Sequence, residues 1–200
     1  MFDVALRRLV NPVLIPVAGW IADRRISANI LTISGAGLAL SAAFFVTQAN
    51  FAAALGFILL NRIVDGLDGA VARINGPTEF GGYLDTICDY IFYISIPLAF
   101  GFIDPVNHIP ALLLVASFTL TAVSFLAFAA IAARHASDDG AHGSKAFVYS
   151  TGLMEGAETI SFFVLFCLFP SFFPTLALVF AALCLLTVVQ RCILAAKSFD

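Results

Sequence analysis

Hydrophobic residues run along this chain in blocks about twenty residues long, the length a helix needs to cross a bilayer, and short polar breaks separate them. The first block, about Ala28 to Thr47, is preceded by Ser27, a good N-cap, and followed by the short turn Gln48-Ala49-Asn50. A second block, about Phe51 to Ile74, must therefore run back antiparallel, and Asn75-Gly76-Pro77 breaks it. Thr78 and Glu79 open a third, about Thr78 to Phe102, and a fourth covers about Pro110 to Arg134 after a loop containing Asp104 and His108. Beyond the polar stretch from His135 to Lys145 lie a fifth block, about Gly152 to Phe169, and a sixth, about Pro174 to Lys197. The expectation is an all-α integral membrane protein with six transmembrane helices.

The N-terminal residues 3–22 read differently. They are apolar around Arg7, Arg8 and Trp20, and Pro12 and Pro16 interrupt them. We read them as a broken amphipathic segment lying at the membrane interface, with Trp20 at headgroup level. The chain then divides into an interfacial segment, 1–26, and a six-helix catalytic domain, 27–200. No cleavable signal peptide is expected, since the first residues lack a compact apolar stretch followed by a small-residue cleavage site.

Charge adds orientation. An even number of spans puts both termini on one side, and all ten Lys and Arg residues fall on or near that side, leaving the three opposite loops with none. The positive-inside rule makes that side cytoplasmic, in a membrane of the bacterial inner type. Composition agrees: 61% of residues are hydrophobic and only 12% charged, outside the range of soluble domains. The net charge of −3 gives no reason to expect a nucleic-acid partner. Cys88, Cys167, Cys184 and Cys192 lie in apolar runs without metal-ligand spacing and read as small buried hydrophobes.

Against this background four aspartates stand out. Asp65 and Asp68 sit in the second block, Asp85 and Asp89 in the third. A carboxylate facing lipid costs about 2.5–3.5 kcal/mol, so four would cost roughly 10 kcal/mol, and they must share a polar cavity. At about 100° per residue, Asn61, Arg62, Asp65, Asp68, Gly69, Ala72 and Arg73 fall within an arc of roughly 140°. Asp85 and Asp89 are one turn apart, so two acidic faces oppose each other across a short turn. Carboxylates from two helices, with no His or Cys on either stripe, suit Mg²⁺ or Mn²⁺, two ions being expected. Gly69 and Ala72 leave room for a ligand near the backbone, and Arg73 is a natural phosphate partner.

The run Asp65, Asp68, Gly69, Ala72, Arg73, Gly81, Asp85, Asp89 resembles the signature of the CDP-alcohol phosphotransferase family, D-x2-D-G-x2-A-R followed by G-x3-D-x3-D. All eight positions match, over 25 residues. The spacer from Arg73 to Gly81 is one residue shorter than usual, a difference that falls in the turn at Asn75-Gly76-Pro77. The layout of six spans and the entry Ser27-Ala28-Asn29-Ile30-Leu31-Thr32 are also similar to that family. The resemblance implies a phospholipid-synthesising transferase in which Asp65, Asp68 and Asp85 hold divalent metals, with Asp89 near them. Asp89 would take the proton from an acceptor alcohol, whose hydroxyl attacks a CDP-linked lipid donor, CDP-diacylglycerol being preferred, and CMP leaves. Gly69, Ala72 and Arg73 would contact the cytidine diphosphate, with Asn29 and Thr32 as wall residues, and a homodimer is the usual assembly.

Two other classes account for part of the pattern. A divalent-cation transporter explains the acids but not Arg73 or the small residues beside them. An aspartate-motif prenyltransferase fits Asp85-x3-Asp89 but has no use for cytidine and needs an Asn-Asp-x2-Asp element that is missing. Arg62 reads equally well as a counter-ion for Asp65 or Asp68. Glu155 and Glu158 suit a helix N-terminus, and Glu158 could also face the cavity and meet the acceptor. The acceptor itself stays open, with Arg134, Lys145 and Arg191, beyond Arg62, as the cations available to an acceptor phosphate.

Overall fold

A computed structural model describes residues 2–138, 154 and 156–199, with backbone alone at 2–11 and 135–138. Its seven α-helices are α1 Phe2–Asp23, α2 Ala28–Thr47, α3 Phe51–Asn75, α4 Glu79–Gly101, α5 His108–Asp138, α6 Gly156–Leu168 and α7 Phe173–Phe199. Short 3-10 turns at Pro105–Asn107 and Pro170–Phe172 lead into α5 and α7. No strand occurs among the described residues. Residues 139–153, with the expected polar loop beyond Asp138 and the expected start at Gly152, and Glu155 lie outside the described residues.

Local chemistry sets the helix starts. Ser27 Oγ accepts the backbone N–H of Ile30 at 3.4 Å, Asn50 Oδ1 that of Ala53 at 3.1 Å, and Thr78 Oγ1 that of Gly81 at 3.0 Å. Each satisfies a donor that a helix start leaves without a partner. Gly76, at φ 93°, ends α3 and lets the chain turn at once into α4.

Among the described residues, four helical stretches are long and apolar enough to cross a membrane: Ala28–Thr47, Glu79–Gly101, Pro105–Arg134 and Pro170–Phe199. Large apolar side chains such as Leu40, Phe44, Leu112 and Leu186 point outward from them, as they do where the surrounding medium is hydrocarbon. With 25 residues, α3 has the length, but Arg62, Asp65, Asp68 and Arg73 interrupt its apolar run. The described part of α6 is 13 residues.

Between the helices lies an aromatic core. Phe92, Phe100, Phe163, Phe166, Phe173 and Phe180 are fully buried. Phe100 stacks on Phe173 with ring centroids 4.7 Å apart, and Phe162 on Phe180 at 4.3 Å. Lipid tails are as apolar as these rings, so the core is held by close dispersion contacts more than by removal from water. Cys167 and Cys184 are buried as expected, whereas Cys88 is half-buried and Cys192 exposed. On α7 an outward position facing hydrocarbon suits an apolar side chain as well as an inward one does.

One expectation needs correcting. The N-terminal segment is not broken: α1 is a single helix through both Pro12 and Pro16. The two prolines are exposed and one turn apart, so the carbonyls they deprive of a donor fall on one outward face. The opposite face, Leu14, Ala18 and Ile21, packs on Leu67, Ala70 and Val71 of α3. There Leu14 lies over Gly66, where an added Cβ would come within 2.8 Å of its Cδ1. Packing against α3 thus holds the helix that propensity alone would interrupt.

Candidate metal centre and nucleotide pocket

The short turn between α3 and α4 brings the two acidic stripes face to face. Oxygens of Asp65, Asp85 and Asp89 all lie within 4.8 Å of one another. Three like charges at that separation repel strongly in a partly dry site, so the arrangement favours a proton or a cation among them. The chain supplies one cation. Arg62 Nη2 donates to Asp89 Oδ1 at 3.3 Å, and its Nη1 stands 3.6 Å from Asp65 Oδ2. Asp68 is outside the trio but lines the same cleft. It is buried and accepts a 2.7 Å hydrogen bond from Thr32 Oγ1 of α2.

The donor set is all carboxylate oxygen. Such a set fits a hard divalent cation of the Mg²⁺ or Mn²⁺ kind, which prefers oxygen ligands, better than zinc, which favours His and Cys. Cys88 also lines the cleft but is not part of the cluster.

Beside the cleft opens a cavity of about 380 Å³, within the range of small-molecule sites. Asn29, Thr32, Asp68, Gly69, Ala72, Gly81 and Asp85 line it, together with Ser27, Ala28, Gly82 and the turn 75–78. Thr32, Asp68 and Asp85 belong to both cavities. Gly81 is required by close approach: a Cβ there would sit 2.9 Å from Thr78 Oγ1 and 3.3 Å from Asn29 Oδ1. Arg73 is exposed beside this pocket, its Nη1 3.4 Å from where a Cβ on Gly69 would lie. A pocket lined by small residues and by Asp68 and Asp85, with an arginine beside it, can take a phosphate-bearing ligand.

Asn29, Thr32, Asp65, Asp68, Gly69, Ala72, Arg73, Asp85 and Asp89 are therefore all in or beside one of these two cavities, whereas Glu158, Arg134 and Arg191 line neither. Two features escaped sequence reasoning. Arg62 bridges Asp65 and Asp89, where Asp65 or Asp68 was expected, and the sole signal for it was its place on the acidic stripe. Asn61 reaches across to α2, donating from Nδ2 to the Gly35 carbonyl at 2.8 Å. Glu158 is half-buried in the first turn of α6, and His108 is exposed. Arg191 is buried and donates to the Thr121 carbonyl at 2.8 Å and to Ser124 Oγ at 3.3 Å, which ties α7 to α5.

Comparison with known proteins agrees with this geometry. The sequence model of the CDP-alcohol phosphatidyltransferase family matches residues 25–190. The inner membrane protein YnjF of Escherichia coli is 41% identical over 192 residues, covering 96% of this chain and 93% of that protein. A phosphatidylcholine synthase of Mesorhizobium japonicum is 35% identical over 83 residues, 39% of this chain and 31% of the synthase. Among solved structures, the phosphatidylinositol phosphate synthase of Mycobacterium tuberculosis with CDP-DAG bound superposes with a TM-score of 0.71 at 20% identity, covering 90% of this chain and 92% of its own. The same synthase in complex with manganese and citrate gives a TM-score of 0.71 at 19% identity, covering 90% and 87%.

Proposed function

Because the chain belongs to the CDP-alcohol phosphatidyltransferase family, we propose that it transfers a phosphatidyl group from CDP-diacylglycerol to the hydroxyl of a small alcohol and releases CMP. The observation that carries this reading is the convergence of Asp65, Asp85 and Asp89 within 4.8 Å, in a cleft that shares Thr32, Asp68 and Asp85 with a pocket of about 380 Å³. The CDP-DAG and manganese held by the mycobacterial synthase of the same fold support the donor and the ions. The family match over residues 25–190 favours this reading over a transporter or a prenyltransferase.

Asp65, Asp68, Asp85 and Asp89 would hold the divalent ions, two by the number of carboxylates. Bound there, the ions would offset the negative charge that grows on the pyrophosphate oxygens. Asn29, Thr32, Gly69, Ala72 and Arg73 would bind the cytidine diphosphate and hold its phosphorus in line for attack. Asp89 would accept the proton of the alcohol as its oxygen bonds to the phosphorus nearer the lipid. The bond from that phosphorus to the bridging oxygen breaks, and CMP carries the oxygen away.

We place α3 and α6 across the membrane beside the four apolar helices, which gives six spans behind an interfacial segment at 1–26. Both termini and the acidic site then face the cytoplasm, and the assembly is a homodimer. Crosslinking in detergent that gives dimers supports the assembly, and monomer alone argues against it. A C-terminal reporter that is active only in the periplasm would overturn the orientation.

The deciding experiment incubates purified protein with CDP-diacylglycerol, Mg²⁺ or Mn²⁺ and a panel of alcohols, phosphorylated and not, and follows CMP and the lipid product. Metal-dependent CMP release with one acceptor is expected. Absence of CMP with every acceptor and either ion would refute the proposal.

A further inference from the structure

Arg62 is fixed from every side. Its side chain is 13% exposed, and the guanidinium carbon stands 4.2 Å above the Phe92 ring. Nε donates to Asn61 Oδ1 at 2.7 Å, and Asn61 is itself tied to the Gly35 carbonyl of α2. The remaining nitrogens reach Asp65 on α3 and Asp89 on α4. A counter-ion alone needs no such brace, because a flexible lysine would neutralise charge equally well. The guanidinium adds a planar fork in a set direction and a charge that does not titrate near neutral pH.

We propose that Arg62 is a positioning residue with two separable effects on the carboxylate cluster. Its fork aims Asp89 by holding one of its oxygens against the repulsion of Asp65. Its permanent positive charge weakens the cluster's hold on divalent ions, so that they remain exchangeable until a pyrophosphate adds its own negative charge to the site. The inference deepens the proposed function and rests on its reading of the acids as ion ligands.

The two effects part company in two variants. Arg62→Lys keeps the charge and loses the fork, and Arg62→Gln loses both. Mn²⁺ binding without substrate is read from the free-ion signal in electron paramagnetic resonance, using the intact protein in nanodiscs. Turnover and melting temperature are measured on the same samples. Arg62→Gln is expected to bind Mn²⁺ roughly tenfold more tightly than the wild type, or better, while kcat falls. Arg62→Lys is expected to stay within about threefold of wild-type Mn²⁺ affinity with kcat still reduced. A purely structural arginine would predict the opposite sign, weaker Mn²⁺ binding together with a lower melting temperature.

Unchanged or weaker Mn²⁺ binding by a folded Arg62→Gln protein overturns the charge effect, and wild-type kcat in Arg62→Lys overturns the aiming effect. Should Arg62→Gln fail to fold, Arg62→Lys still decides the second. A wild-type protein that binds no Mn²⁺ overturns the ion reading itself, which separates that failure from failure of this inference.

Discussion

The first half of α4 carries Asp85 and Asp89 to the acidic cleft and Gly81 to the pocket beside it, whereas the second half carries Phe92, Ile96 and Phe100 into the aromatic core. Phe92 marks the boundary, with Arg62 over one side of its ring and Phe163 at 5.2 Å against it. In the core, several rings share each contact, so a lost group is partly compensated by its neighbours and the loss appears as stability. In the cleft, each oxygen has one task and no substitute, and a lost group appears as activity. The same helix therefore holds two kinds of information, one spread over many contacts and one concentrated in single atoms.

The largest break in this contrast is expected at Asp89. Asp89→Asn keeps the shape and removes the proposed proton acceptor, so CMP release should fall by roughly 10²–10⁴-fold. The melting temperature in detergent should hardly move, and retained turnover would remove Asp89 as the base. Phe100→Ala should behave inversely, destabilising the protein by about 3 kcal/mol with kcat per folded molecule preserved. Denaturant unfolding beside a turnover assay on the folded fraction checks this. Gly81→Ala tests the seam between pocket and turn, since its Cβ must displace Thr78 or Asn29. It should raise KM for the CDP-linked donor about tenfold and alter kcat less, as read in a donor titration. The smallest effect is expected from Thr32→Val, which deletes the hydroxyl that bonds Asp68 and keeps the volume. A loss of about fivefold in kcat/KM, near 1 kcal/mol, matches one hydrogen bond, and an unchanged value would make that bond ornamental.

Much of this was legible before any coordinates. The bounds of α2 follow from Ser27 and the turn after Thr47, and the four aspartates announce themselves because nothing else in an apolar helix tolerates them. What a helical wheel leaves undetermined is how neighbouring helices are rotated, and that rotation decides who meets whom. It is why Arg62 pairs with Asp89 as well as Asp65, and why Asp68 meets the Thr32 hydroxyl and not the Arg62 guanidinium. Helix α5 runs on to Asp138, past the expected end at Arg134, because loss of apolar character ends a span without ending a helix. The continuity of α1 was hidden for a related reason: local propensity speaks against two prolines, and only the seat on α3 overrules it.

Thr32, Asp68 and Asp85 form a party wall between the acidic cleft and the larger pocket. On the proposed function, an engineer who reshapes that wall to admit another base or headgroup alters ion preference in the same stroke, so the two properties could not be tuned independently from there. Asn29, Ala72 and Gly82, which line the pocket alone, are the positions where recognition can be redesigned while the acids keep their arrangement.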